Sequence, residues 1–161
     1  LVNNAGILHK LERLENFSVD RLNEVVNVNI VGAFLCAREA VKIMSTRNGG
    51  RGGSIVNISS DASYLGGANE YIDYAATKGA IDTMTIGLAV EVATEGIRVN
   101  AVRPGPIETD IHEGDRLERV APRIPMQRAG RPDEVAETIL FLASDAASYV
   151  SGALVNCSGA R

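Results

Sequence analysis

The 161-residue sequence predicts an α/β fold built on a parallel β-sheet. Four short apolar segments have the length and composition of buried strands, and the stretches between them carry apolar residues at helical spacing. Parallel neighbours need a long crossover connection, usually a helix, because a tight turn joins only antiparallel strands. The alternation therefore predicts one domain, residues 1–161, with helices packed on a parallel sheet.

The predicted strands are bounded by glycine, proline or small polar residues. The second strand ends at Ser59 and Ser60, and Pro104 breaks the third. The first residues have the pattern of the last part of a buried strand that runs into a glycine turn, with no initiator Met before it, so we expect the chain to be the C-terminal portion of a longer domain. The four segments are residues 1–6, 54–59, 97–102 and 152–157.

Three helices are predicted, over residues 18–46, 74–95 and 132–143, from the spacing of their apolar residues. The second helix is apolar on more than one face, which favours burial on two sides and a subunit interface. Residues 108–130 are polar and punctuated by glycine and proline. We expect this stretch to be a mobile segment with one helical turn or two.

Composition and charge exclude several classes of protein. The formal net charge of −4 and the scattered basic residues argue against a nucleic-acid surface. Cys36 and Cys157, with two separate histidines, provide neither a disulfide framework nor a zinc site, and we predict that both cysteines lie in the core of a protein in the reducing cytoplasm. The sequence contains neither a run of 18 apolar residues nor a signal-peptide pattern, so we expect a cytoplasmic protein.

Tyr74 is followed four residues later by Lys78, a spacing that places both side chains on one helical face. A phenol with a pKa of about 10 is a weak base at neutral pH, but a nearby cation stabilises the phenolate and lowers that pKa. The pair could therefore serve as a general acid or base. An ordinary solvated contact between the two side chains is the alternative.

Ser59 and Ser60 close the second strand, where parallel sheets form their ligand crevice. A hydroxyl at this place can hold a substrate oxygen next to Tyr74. Helix capping or turn formation is the alternative role for either serine.

These residues belong to a series of motifs that resembles the classical short-chain dehydrogenase/reductases. The motifs stand in the order of that family, and Ser158-Gly159-Ala160 replaces its usual small-Gly-Gly ending. The spacing from Ser60 to Tyr74 is one residue longer than the commonest family spacing, so Ser59 stays a candidate. The motifs are Asn3-Asn4-Ala5-Gly6, Asn27-Val28-Asn29-Ile30-Val31-Gly32, the strand ending in Ser59-Ser60, Tyr74-Ala75-Ala76-Thr77-Lys78 and Arg103-Pro104-Gly105.

The resemblance implies four catalytic residues. Tyr74 would exchange a proton with the substrate oxygen, and Lys78 would lower the pKa of that phenol and bind the nicotinamide ribose. Ser60 would orient the substrate oxygen. Asn29 would support a water molecule that connects Lys78 to solvent.

The resemblance also implies NAD or NADP as cofactor and no metal. It implies a partial Rossmann-type doubly wound parallel sheet that lacks the N-terminal βαβ units, including the glycine-rich turn for the pyrophosphate. We therefore expect the 161 residues alone neither to bind the dinucleotide tightly nor to turn over. The implied cofactor-binding residues are Asn3, Ala5, Gly6, Tyr74, Lys78, Pro104, Gly105, Ile107 and Thr109.

Substrate choice is expected from the segment 108–126 and from the loop after Ser60, whose polar residues suit a sugar or polyol. A 3-oxoacyl thioester reductase of the same family and a truncated, non-catalytic scaffold domain are the alternatives. The family resemblance further implies a homo-oligomer, a tetramer or dimer, that buries the helices over 18–46 and 74–95. The predicted loop residues are Tyr64, Leu65, Asn69, Glu70 and Tyr71.

Overall fold

A computed structural model describes residues 1–112 and 114–161. Its four strands form one parallel sheet in the order β1-β2-β3-β4, so neighbours in the chain are also neighbours in the sheet. This arrangement confirms the predicted α/β fold with a parallel sheet. The strands are β1, Val2–Asn3; β2, Gly53–Ile58; β3, Ile97–Pro104; and β4, Leu154–Cys157.

The sheet is covered on both faces, because alternate residues of its central strands point to opposite sides. Ile55 and Val99 belong to one buried cluster, which also contains Ala89 and Val92. Val56 and Val102 belong to a second cluster with Leu142. Strands buried on both faces explain why their sequences are continuous β-branched runs rather than alternating ones.

The helices follow the predicted pattern with two differences. The helix predicted over 18–46 is divided into α1 and α2 by a π-helical turn, Asn27–Gly32. The helix predicted over 74–95 begins earlier and ends at Glu91, followed by a 3₁₀ turn, Ala93–Glu95. The helices are α1, Val19–Val26; α2, Ala33–Met44; α3, Ala62–Leu65; α4, Ile72–Glu91; α5, Arg116–Val120; and α6, Pro132–Ala143.

Residues 108–130 contain α5 and one 3₁₀ turn, Ala121–Arg123, as the prediction of one or two helical turns requires. The two ends of the segment are joined to each other, because Ile107 forms a β-bridge with Gly130. Its Arg116 is buried. Glu113 lies outside the described residues, and the predicted mobility of the segment stays a prediction.

The prediction that both cysteines lie in the core was wrong. Cys36 is exposed and Cys157 is partly buried. Helix α2 buries only its Ala37, so Cys36 shares the outer face with the exposed Phe34 and Leu35. Exposed apolar side chains also occur on α4, at Ile86 and Val90, which agrees with the expected interface but leaves oligomerisation a prediction.

Among the described residues, no helix combines the length and the apolar character needed to cross a membrane. Within the same residues, no cluster of three or more His, Cys, Asp or Glu side chains could hold a metal ion.

Candidate active site

A cavity of about 380 Å³ lies at the carboxyl ends of β2 and β3. The chain places it there because parallel strands leave a crevice at this edge, between the loops that follow them. Ser60, directly after β2, and Pro104, the last residue of β3, both line it. Tyr74 and Lys78 enter the same cavity from the first turns of α4.

Tyr74 and Lys78 lie on the same face of α4. The Lys78 Nζ atom is 5.4 Å from the centroid of the Tyr74 ring, and it donates a 2.7 Å hydrogen bond to the Ile58 carbonyl at the end of β2. This bond holds the Lys78 ammonium at the carboxyl end of β2. An ammonium has three N–H donors, so Lys78 retains donors for a ligand in the cavity.

The two serines after β2 have different partners. The Ser59 hydroxyl donates to the Lys78 carbonyl at 3.1 Å and so fastens α4 to the strand. The Ser60 hydroxyl accepts from the Ala62 amide at 3.1 Å. Burial raises the pKa of the Tyr74 phenol, and hydrogen bonding with Ser60 offsets part of that rise. Ser60 is therefore the serine placed to share a ligand oxygen with Tyr74.

Replacing each serine by alanine tests this difference. We expect Ser60→Ala to lower kcat by about 100-fold, because removing one preorganised donor to a reacting oxygen has that effect in other enzymes. Ser59→Ala should instead mainly lower the free energy of unfolding, by about 1 kcal/mol, because it loses one buried hydrogen bond. Steady-state kinetics and denaturant unfolding measure the two effects. A large fall in kcat for Ser59→Ala, with kcat nearly unchanged for Ser60→Ala, would contradict the geometry.

Asn29 lies in the π-helical turn, and such turns are frequent at functional sites. Asn29 is 2% exposed. Its side chain forms two hydrogen bonds with the backbone of Ile7, in the loop after β1: Oδ1 accepts from the Ile7 amide at 2.8 Å, and Nδ2 donates to the Ile7 carbonyl at 3.0 Å. Nδ2 also donates to the Thr77 hydroxyl at 3.1 Å. Asn29 thus connects α4 to the loop that contains Gly6, and its implied role with water stays a prediction.

The pKa values of the central pair differ from the expectation. Burial raises the pKa of Tyr74 to about 12, because the phenolate would be poorly solvated. Burial also lowers the pKa of Lys78 to about 8, although the carboxylate of Asp82 opposes that change. Desolvation is thus the largest cause acting on the Tyr74 phenol, and the implied lowering of its pKa by Lys78 stays a prediction.

Comparison with known proteins identifies the family. A family model described as enoyl-(acyl carrier protein) reductase matches residues 1–159. The chain belongs to the short-chain dehydrogenase/reductase family.

Individual relatives agree with this assignment. The uncharacterized oxidoreductase YgfF of Escherichia coli (strain K12) is 55% identical, over 100% of this chain and 67% of its own length. The glucose and ribitol dehydrogenase homolog of Oryza sativa subsp. japonica is 42% identical, over 99% of this chain and 55% of its own length.

A solved structure confirms the fold. The 3-ketoacyl-(acyl-carrier-protein) reductase from Brucella melitensis, complexed with NADH, is 33% identical with a TM-score of 0.94, over 100% of this chain and 66% of that one. This short-chain dehydrogenase/reductase chain therefore spans about half to two thirds of the length of the proteins it matches.

The predicted cofactor-binding residues of this short-chain dehydrogenase/reductase fall into two groups. Most of them line the cavity, whereas Asn3 and Ala5 do not. The Asn3 amide donates to the Ala33 carbonyl and to the Asn57 side chain, both at 3.1 Å, so it joins β1 to α2 and β2. Contact of Asn3 and Ala5 with a cofactor stays a prediction. The lining residues are Gly6, Tyr74, Lys78, Pro104, Gly105, Ile107 and Thr109.

The lining residues fit a nicotinamide ribose and carboxamide. A Cβ atom built on Gly6 would lie 3.4 Å from both Lys78 Nζ and Asn29 Oδ1, so the glycine leaves the space beside the ammonium free of side-chain atoms. Thr109 adds a hydroxyl whose hydrogen bond, to the Ile107 carbonyl, is a long 3.4 Å. Hydroxyl and amide groups of a ligand could be bound by these donors.

The structure also brings charged residues into the cavity that the sequence did not single out as site residues. Arg116 donates to Glu70 and to the Tyr71 hydroxyl, both at 2.9 Å, and so joins α5 to the predicted substrate loop. Asp61 and Arg161 lie 100 residues apart in the chain and pair at 3.4 Å. No local pattern could have indicated a contact over that separation.

Proposed function

We propose that the protein carrying this chain interconverts a secondary alcohol and a ketone, with NAD or NADP as hydride acceptor or donor. The observation that carries the proposal is the convergence of Ser60, Tyr74 and Lys78 on one cavity at the strand ends. The Brucella relative was solved with NADH, which supports a nicotinamide cofactor.

When bound, the nicotinamide supplies or accepts the hydride, and the protein's own groups orient the substrate and manage its proton. In the reductive direction, the Ser60 hydroxyl holds the carbonyl oxygen and Tyr74 donates its phenolic proton to it. A pKa of about 12 keeps the phenol protonated at neutral pH, so Tyr74 is ready to act as an acid. Lys78, held by the Ile58 carbonyl, binds the ribose hydroxyls with its remaining donors.

In the oxidative direction, Tyr74 takes the proton of the alcohol, so it must first be deprotonated. We expect kcat/KM for alcohol oxidation to rise by up to about tenfold per pH unit between about pH 6 and 8, whereas ketone reduction stays nearly constant. Initial rates in both directions over this range provide the measurement. A constant kcat/KM for alcohol oxidation, with a kcat/KM for ketone reduction that falls as pH rises, would contradict the proposal. Such a result would put the pKa of the phenol below neutrality.

The substrate proposed is a sugar or polyol. The charged residues Asp61 and Arg116 line the cavity, and Arg116 is bonded to Glu70. The name of the rice relative refers to glucose and ribitol, which supports the same class. The second candidate is a 3-oxoacyl thioester, which the name of the Brucella relative favours.

A substrate panel separates these candidates. The protein carrying this chain would be given sugars, polyols, simple secondary alcohols and a short 3-oxoacyl thioester, each with both nicotinamides, and the absorbance of the reduced nicotinamide followed. Faster turnover of polyols supports the first candidate, and faster thioester reduction overturns it in favour of the second. Turnover of none of these compounds would contradict the alcohol–ketone reaction itself.

A further inference from the structure

Asp61 carries a buried carboxylate with unused capacity to accept hydrogen bonds. The residue is 4% exposed, lines the cavity and directly follows Ser60. Its side-chain contacts with Ser60 and Arg161 are both 3.4 Å long, whereas charge-assisted bonds are usually about 2.7–2.9 Å. By comparison, the buried Asp73 receives two bonds from Arg21, at 2.7 and 3.2 Å.

The Asp61 carboxylate lies beside the candidate catalytic groups. Ser60 connects them, because its hydroxyl contacts Asp61 Oδ1 at 3.4 Å and also interacts with the Tyr74 phenol. Burial is the main cause of the raised pKa values of Tyr71 and Tyr74, and the negative charge of the nearby Asp61 adds to both. A substrate oxygen held by the Ser60 hydroxyl would therefore lie close to the Asp61 carboxylate as well.

The charges around Asp61 favour a neutral hydroxyl over an anionic group as its ligand. Arg161 provides the opposite charge that helps Asp61 to stay ionised, against the effect of burial. Arg116 is already paired with Glu70 at 2.9 Å and bonded to the Tyr71 hydroxyl. An anion would thus compete with existing acid partners for each arginine, whereas a hydroxyl can donate a hydrogen bond to a carboxylate oxygen of Asp61.

We propose that Asp61 binds a second hydroxyl of the substrate, on the carbon next to the one that is oxidised or reduced, and so selects vicinal diols and hydroxyketones over simple alcohols and ketones. This inference rests on the alcohol–ketone reaction proposed above and identifies the residue that sets its substrate class. Asp61 is a specificity-determining residue in this scheme, because it contacts the substrate without taking part in proton or hydride transfer.

The test compares trans-1,2-cyclohexanediol with cyclohexanol as alcohols for oxidation by the protein carrying this chain. These compounds share one ring and differ by one hydroxyl. We expect wild-type kcat/KM to favour the diol by about 10- to 100-fold, the range for a hydrogen bond to a charged group. Asp61→Asn, which keeps the size and removes the charge, should lose most of this preference through a higher KM for the diol.

A matched control is Asp145→Asn, since Asp145 is exposed and is not among the residues that line the cavity. This variant should retain the wild-type preference. If Asp61→Asn does not fold, as judged by thermal unfolding, Asp61→Ser offers a smaller uncharged side chain for the same comparison.

Each outcome bears on a different claim. Equal wild-type kcat/KM for the two alcohols, or a diol preference that survives loss of the Asp61 charge, would overturn the role of Asp61 and leave the alcohol–ketone reaction in place. Oxidation of neither alcohol with either nicotinamide would overturn both.

Discussion

Replacing Tyr74 by phenylalanine is expected to lower kcat by about 100- to 10,000-fold, the usual contribution of a positioned general acid or base. The substitution removes only the phenolic oxygen, so the ring that packs edge-on against Tyr71 at 5.8 Å remains. Binding of the reduced nicotinamide by the protein carrying this chain should weaken far less than kcat falls, because Lys78 and the strand-end loops are untouched. Steady-state kinetics and a nicotinamide fluorescence titration separate the two effects.

The control for this variant is Tyr149→Phe, which removes the same oxygen from a fully exposed ring. Its kcat should equal that of wild type. A Tyr74→Phe protein that retains more than about a tenth of wild-type kcat would remove Tyr74 from the chemistry, because even a modest general acid contributes about 100-fold.

Replacing Lys78 by methionine is expected to stabilise the fold at pH 7 while impairing turnover. Burial lowers the pKa of Lys78 from 10.5 to about 8, so at neutral pH the folded chain holds an ammonium that the unfolded chain would solvate better. This shift corresponds to about 3 kcal/mol. Loss of the hydrogen bond to the Ile58 carbonyl offsets about 1 kcal/mol of it, which leaves a net gain of about 2 kcal/mol.

The pH dependence gives the sharper measurement. Because the folded pKa lies below the unfolded one, the unfolded chain binds more protons between about pH 8 and 10.5, and the wild-type free energy of unfolding rises with pH there. The advantage of Lys78→Met should therefore shrink as pH rises from 7 to about 10. Denaturant unfolding at several pH values measures it.

Lys42→Met is the matched control, because the Lys42 side chain is 60% exposed and its partner is the exposed Glu39. Its difference from wild type should not depend on pH over the same range. A constant difference for Lys78→Met as well would show that the ammonium is solvated in the folded protein. A buried cation that lowers stability is the pattern expected of a residue retained for function.

The strands and the central pair could be predicted from sequence because both depend on local patterns. Runs such as Ser54–Ser59 are β-branched and end in small polar residues, and the four-residue spacing of Tyr74 and Lys78 places them on one helical face in any helix. The third helix was predicted within its observed bounds, Pro132–Ala143, because a proline start followed by acidic residues is a strong local signal.

Features that depend on tertiary contacts could not be predicted. The π-helical turn at Asn27–Gly32 follows from hydrogen bonds that apolar periodicity does not reveal. The raised pKa of Tyr74 depends on how deeply α4 is buried, and the pairing of Asp61 with Arg161 joins the end of β2 to a residue beyond β4. The division of labour between Ser59 and Ser60 also required the position of the Lys78 carbonyl.

The most direct measurement is a crystal structure of the protein carrying this chain with a nicotinamide and a slow alcohol substrate bound. We expect the reacting oxygen to lie about 2.6–3.2 Å from both the Tyr74 hydroxyl and the Ser60 hydroxyl, with the ribose against Lys78. A substrate oxygen bound elsewhere in the cavity, out of reach of Tyr74, would contradict it.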